Sequence, residues 1–81
     1  MKELVEFIVK SLVDKPEAVE IAQTEGNGVS IIEIRVAPEE VGKVIGKEGR
    51  IANAIRTVVK SAGAKLKKRV TVEIMAQEKE K

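Results

Sequence analysis

Cysteine, histidine, tryptophan and tyrosine are all missing from this 81-residue chain, and Phe7 is its single aromatic. Without cysteine there is neither disulfide nor thiolate chemistry, which fits a reducing, cytoplasmic setting. Without histidine, acid–base catalysis would rest on carboxylates or lysines, and nucleophilic attack on Ser11, Ser30, Ser61 or a threonine. None of these has a triad-like companion. The chain is therefore expected not to be an enzyme, with no catalytic residue, metal ligand set, cofactor or small-molecule substrate. No apolar run approaches the ~20 residues that span a bilayer, and no signal-peptide pattern opens the chain, so no membrane partner is expected. The scarcity of aromatics counts against the base-stacking surfaces of RRM and OB folds. Phe7 itself is expected to pack inward.

What is present is a well-patterned small domain. A hydrophobic fraction of 43% is ordinary for a folded protein, and a chain this short makes one domain with a compact core. The net charge of +2 conceals a strong asymmetry. Residues 43–69 hold nine basic side chains against one acid, Glu48, and so carry +8. The rest, with six basic and twelve acidic residues, carries −6. Such a division suits a polyanion-facing surface on an otherwise acidic body, or else a solvated helix face followed by a basic turn.

Leu4, Val5, Ile8, Val9 and Leu12 recur at helical spacing, predicting an amphipathic helix over residues 2–14 that stops before Pro16. Val19 and Ile21 alternate in a short strand over 18–24, and Gly26-Asn27-Gly28 turns the chain into a hairpin. In the next strand, 29–36, Ile32, Ile34 and Val36 point one way and Glu33 and Arg35 the other. Val29 and Ile31 fall on the polar side. A central strand is predicted, with both faces partly covered or its phase shifted at a bulge. Pro38 opens a short helix, with Glu39 and Glu40 near its positive end. Its stripe is Val41, Val44 and Ile45, and Gly46 ends it. Ile51, Ile55, Val58, Val59 and Ala62 then mark a longer helix, with Gly63 suited to its C′ position. After a basic turn, Val70, Val72 and Ile74 alternate in a last strand, and residues 77–81 make a charged tail expected to fray.

The order is helix–strand–strand–helix–helix–strand, an α+β fold. The two-helix crossover suits parallel pairing of the second and third strands, and the hairpin makes the first pair antiparallel. The predicted architecture is a three-stranded mixed sheet with three helices packed on one face.

Gly46-Lys47-Glu48-Gly49 joins the last two helices. Two glycines bracketing such a turn can be plain punctuation, one ending a helix and the other opening the next. Alternatively, their missing Cβ atoms let a sugar–phosphate chain approach, with the following helix N-terminus and Lys43, Lys47 and Arg50 supplying positive potential. Ile45 and Ile51 either line a groove beside the loop or belong to the core, whereas Ile55 reads as core. A phosphate loop of the G-x-x-x-x-G-K-[ST] kind does not fit, because no Ser or Thr follows a Gly-Lys pair. Lys65, Lys67, Lys68 and Arg69 either flank a nucleic acid or solvate a turn.

The run Val44-Ile45-Gly46-Lys47-Glu48-Gly49-Arg50-Ile51, with Ile55 beyond, resembles the V-I-G-K-x-G-x-x-I signature of KH domains. The helix-first order is similar to the type II KH arrangement. Leu12-Val13-Asp14-Lys15-Pro16-Glu17 and Val41-Gly42-Lys43 look like the small bacterial single-KH proteins of the KhpA family. That resemblance implies a type II KH domain over residues 1–76 that binds single-stranded RNA through its G-x-x-G loop. The site residues it implies are Lys43, Ile45, Gly46, Lys47, Glu48, Gly49, Arg50 and Ile51. It also implies an RNA chaperone or post-transcriptional regulator of the bacterial cytoplasm, linked to cell elongation and division. Such a protein forms a homodimer and pairs with a larger KH-containing partner, KhpB. The alternative is a protein-interaction scaffold whose main task is docking that partner.

Overall fold

Helix α1 (Lys2–Leu12) places Val5 and Val9 one turn apart and buries both completely. They are two of the anchors of a computed structural model that describes residues 2–77. After a 3-10 turn at Pro16–Ala18 come β1 (Glu20–Gly26) and β2 (Val29–Val36). Helix α2 (Val41–Ile45), helix α3 (Arg50–Lys65) and strand β3 (Arg69–Ala76) complete the predicted order. The strands lie β1-β2-β3, with β1 antiparallel and β3 parallel to β2. The three helices pack on one face of this mixed sheet. The first strand starts later than predicted because Pro16, with its fixed φ, spends residues 16–18 on the turn. It also runs on to Gly26, since Asn27 and Gly28 alone make the hairpin, at φ 52° and 78°.

The central strand explains the core. Ser30, Ile32, Ile34 and Val36 face the helices and are buried, and the last three meet Val5, Val9, Val44 and Val59. Removing each such side chain from water is worth about 1.5–3 kcal/mol. Of the two alternatives expected for β2, the bulge is overturned, and the second face is covered only in part, at Val29 and Glu33. Its register is unbroken, and Ile31 stands partly exposed on the open face, opposite Thr24 and Thr71. With all helices on one side, the apolar residues of the other phase have only cross-strand neighbours to shelter them.

Two further expectations fail for geometric reasons. Phe7 is 72% exposed rather than packed. It lies two residues from both Val5 and Val9, about 200° around the helix from each, so burying them turns it outward. Gly63 is not the residue after α3 but a buried part of it. The C′ position belongs to Lys67, at φ 57°. Lys68 donates its N–H to Gly63 O at 2.8 Å and Lys67 to Ala64 O at 3.0 Å, closing a Schellman motif. Gly63 is needed for packing: a Cβ there would lie 2.6 Å from Val70 Cγ2 and 3.0 Å from Lys68 O. At the other end of β3, Gln77 still donates its N–H to Val36 O at 2.7 Å. Residues 78–81 of the expected tail lie outside the described residues.

Candidate nucleic-acid interface

Helix α2 has only five residues, so its orientation depends on what holds its ends. Val44 enters the core, and the buried Glu40 ties the preceding turn to the segment after α1. Its carboxylate accepts the backbone N–H of Asp14 and that of Lys15, the latter at 3.1 Å. Lys43 donates to the Asp14 carboxylate and sits 3.7 Å from that of Glu40. The hydrogen bond it donates to Asp14 holds the Lys43 ammonium above its ordinary pKa. Of the three cations expected to supply positive potential at the loop, Lys43 is therefore engaged as a clamp between the segment after α1 and α2. The role of Glu40 escaped the sequence because its partners lie 25 and 26 residues upstream.

The loop itself is a chain of positive dihedrals. Gly46 (φ 79°, ψ 173°), Glu48 (φ 57°) and Gly49 (φ 75°) all lie where side chains are disfavoured. Gly46 donates to Gly42 O at 2.8 Å, Gly49 to Gly46 O at 3.1 Å, and Arg50 to Lys47 O. Punctuation is thus part of the glycines' work, but they differ in what surrounds them. A Cβ on Gly46 would lie 2.6 Å from Ile51 Cγ1, so that glycine makes room for the protein's own side chain. A Cβ on Gly49 would find only Asn53 Nδ2, at 3.9 Å. The open side is at Gly49, where no side chain caps the first turn of α3.

Around that opening the side chains are exposed and loosely held. Lys47 has no ion-pair partner among the described residues, and Arg50 Nη2 is 3.5 Å from Glu48 Oε1 with both groups largely in solvent. Such a pair is weak and readily exchanged. Ile45 is 36% exposed beside the loop, Ile51 is half-buried against Gly46 and the core, and Ile55 is buried. Farther along α3, a cleft of about 200 Å³ lies between that helix and the edge strand β3, lined by Arg56, Lys60, Val70, Thr71 and Val72. None of these five was marked in the sequence as a site residue. The signal was there in part: Arg56 and Lys60 are four apart, on one face of α3, and β3 is an edge strand in the predicted topology. Among the described residues no three His, Cys, Asp or Glu side chains gather as a metal would require. No helix there is long and apolar enough to cross a membrane.

A strand–helix–G-x-x-G–helix–strand unit, preceded by a helix and a strand, is the pattern against which known families can be compared. The family model described as KhpA/KhpB, KH domain, matches residues 2–74. The chain belongs to this family. Its KH signature is the α2–α3 connection, Val44 to Ile51. The RNA-binding protein KhpA of Clostridium perfringens is 61% identical over 75 residues, covering 93% of this chain and 100% of that one. The RNA-binding protein KhpA of Caldanaerobacter subterraneus subsp. tengcongensis matches with the same identity and coverage. Among solved structures, Aquifex aeolicus Era bound to GDP·AlF4− is similar with a TM-score of 0.59 at 21% identity. That match takes in 93% of this chain and 29% of the Era chain, and it shows the fold alone.

Proposed function

We propose that this KH domain binds single-stranded RNA, with the Gly46–Gly49 loop gripping the sugar–phosphate backbone. The observation that carries this reading is the open side of Gly49 at the start of α3, which no side chain caps, with the exposed Lys47 beside it. A phosphate placed there meets backbone N–H groups, the positive end of a sixteen-residue helix and two mobile cations, Lys47 and Arg50. Glu48 turns toward Arg50 and lowers the affinity such a loop would otherwise have. Ile45 and the exposed edge of Ile51 give bases an apolar rest. Lys43 reaches a phosphate only by leaving Asp14. KH proteins named RNA-binding, at 61% identity over 75 residues and 93% of this chain, support the same reading.

One small module with a short footprint binds weakly and with strong salt dependence. That suits a sequence-tolerant RNA chaperone or post-transcriptional regulator in the cytoplasm, raised in avidity by a homodimer or by a larger KH-containing partner such as KhpB. A scaffold reading, in which partner docking comes first, draws on the exposed Phe7 and Leu4 of α1 and Val58 of α3. Titration of labelled single-stranded RNA separates the two. Lys47→Asp combined with Glu48→Asp should lower affinity at least about tenfold, by placing a second acid against phosphate, with little change in Tm. Unchanged affinity in that double variant overturns the loop mechanism and leaves the scaffold. Sedimentation at micromolar concentration should show twice the monomer mass if the homodimer forms unaided.

A further inference from the structure

We propose that the recess at the C-terminal end of α3 is a second anchor for the RNA backbone, holding phosphates beyond those gripped by the loop. The proposal rests on the RNA reading above and extends it along the molecule. The recess lies between the Asn27–Gly28 turn and the α3–β3 turn, has a volume of about 660 Å³, and is rimmed by Lys60, Lys67, Lys68 and Arg69. Its walls are set by backbone. Arg69 donates its N–H to Gly28 O at 3.1 Å, which ties the two turns together, and the Schellman bonds fix the place from which Lys67 projects.

Three observations point to a phosphate chain as the occupant. First, the cations are largely unspent: Lys68 lies 3.3 Å from Glu25, but Lys60, Lys67 and Arg69 have no acidic partner among the described residues. Four like charges around one recess repel each other until a polyanion enters. Second, the recess adjoins the cleft along β3, sharing Lys60 and Val70 with it, and that cleft extends to Arg56, one turn of α3 nearer the loop. Third, the spacing suits one strand held at two points. Along α3 the recess begins at Lys60, about 15 Å from the start of the helix, and ends at the turn beyond Lys65, about 24 Å away at ~1.5 Å per residue. A G-x-x-G loop clamps about four nucleotides, so the strand must outgrow that stretch before its phosphates arrive here. A lone anion would find the charge but have no reason to depend on the loop.

Length and salt dependence test this directly. Affinity of the full chain for oligouridine should rise between four and eight nucleotides. The salt slope should steepen by about 0.7 for each added phosphate contact. Lys67→Gln with Arg69→Gln should lower affinity for the eight-mer about tenfold and remove the added slope, while four-mer binding changes less than about twofold. Circular dichroism confirms that the exposed substitutions leave the fold intact. Equal losses on both lengths, or none on either, would overturn the second anchor while leaving the loop reading in place. The anchor is overturned in the same way if Lys2→Gln with Lys10→Gln, which removes two charges from α1, weakens the eight-mer as much. Failure of the parent chain to bind either oligonucleotide would remove the loop reading and the anchor together.

Discussion

The turns at the two ends of α3 both carry cations and backbone at positive φ, yet they use glycine in opposite ways. At the N-terminal end glycines take the positive φ at positions 46 and 49, with Glu48 between them also at positive φ. At the C-terminal end Lys67 takes it, and the glycine, Gly63, stays inside the helix to admit Val70. On the proposed RNA reading, the difference follows from what each turn presents. A loop that offers its backbone to a ligand needs a bare face, and Gly49 supplies one. A turn that offers side-chain charge loses nothing by placing a lysine in the left-handed region, apart from about 1–2 kcal/mol of backbone cost.

Two alanine substitutions sharpen this contrast most. Gly46→Ala meets Ile51 and also keeps a positive φ, so it should cost about 2–4 kcal/mol. Gly63→Ala meets Val70 and the Lys68 carbonyl but gains helix propensity, for a net loss of about 1–2 kcal/mol. Urea denaturation of the two variants measures both. If Gly63→Ala proved stabilising, the close approach of β3 to α3 would be wrong, and helix propensity alone would govern the position.

Much of this molecule is legible in its sequence because it repeats locally. The periods of α1, α3 and β3 give the element order, the long crossover gives the parallel pair, and the glycine spacing within Val44–Ile51 gives the loop. What is not legible depends on distant partners. Nothing near Glu40 in sequence announces that it will bind the Asp14 and Lys15 amides, and so nothing signals that Lys43 will be drawn to Asp14. Gly63 resembles a helix stop because Val70 and the Lys68 carbonyl, which decide its role, come after the turn. Phe7 misleads by residue type, although its offset of two from Val5 and from Val9 holds the answer.

A milder change probes the C-terminal turn alone. Lys67→Gly relieves the positive φ at C′ and should raise stability by about 0.5–1 kcal/mol, visible as a higher denaturation midpoint at unchanged m. It also removes one of the recess cations, so binding of a long RNA should weaken while the fold strengthens. Opposite movement of the two quantities is the signature of a residue retained for charge rather than for the turn. If stability fell instead, Lys67 would be held by contacts other than its backbone motif.

The smallest effect comes from the one recess cation that is already paired. The Lys68 ammonium donates to Glu25 and attracts it, holding that carboxyl below its usual pKa. The folded chain therefore keeps Glu25 ionised to lower pH than the unfolded chain does. Whatever stability the pair supplies is fully present above the ordinary carboxylate range and is lost as pH falls through the lowered value. The same protonation releases Lys68 toward the recess, while RNA phosphodiesters stay ionised. Since other carboxylates titrate in that acidic window, Glu25→Gln isolates the event at neutral pH. It should raise affinity for an eight-nucleotide RNA by about two- to threefold and steepen the salt slope by no more than about 0.7, the worth of one phosphate contact on a single strand. Four-nucleotide RNA serves as the reference. If it gains as much as the eight-mer, the removed acid acts through the general field of the protein, and Lys68 has no separate place in the distal anchor.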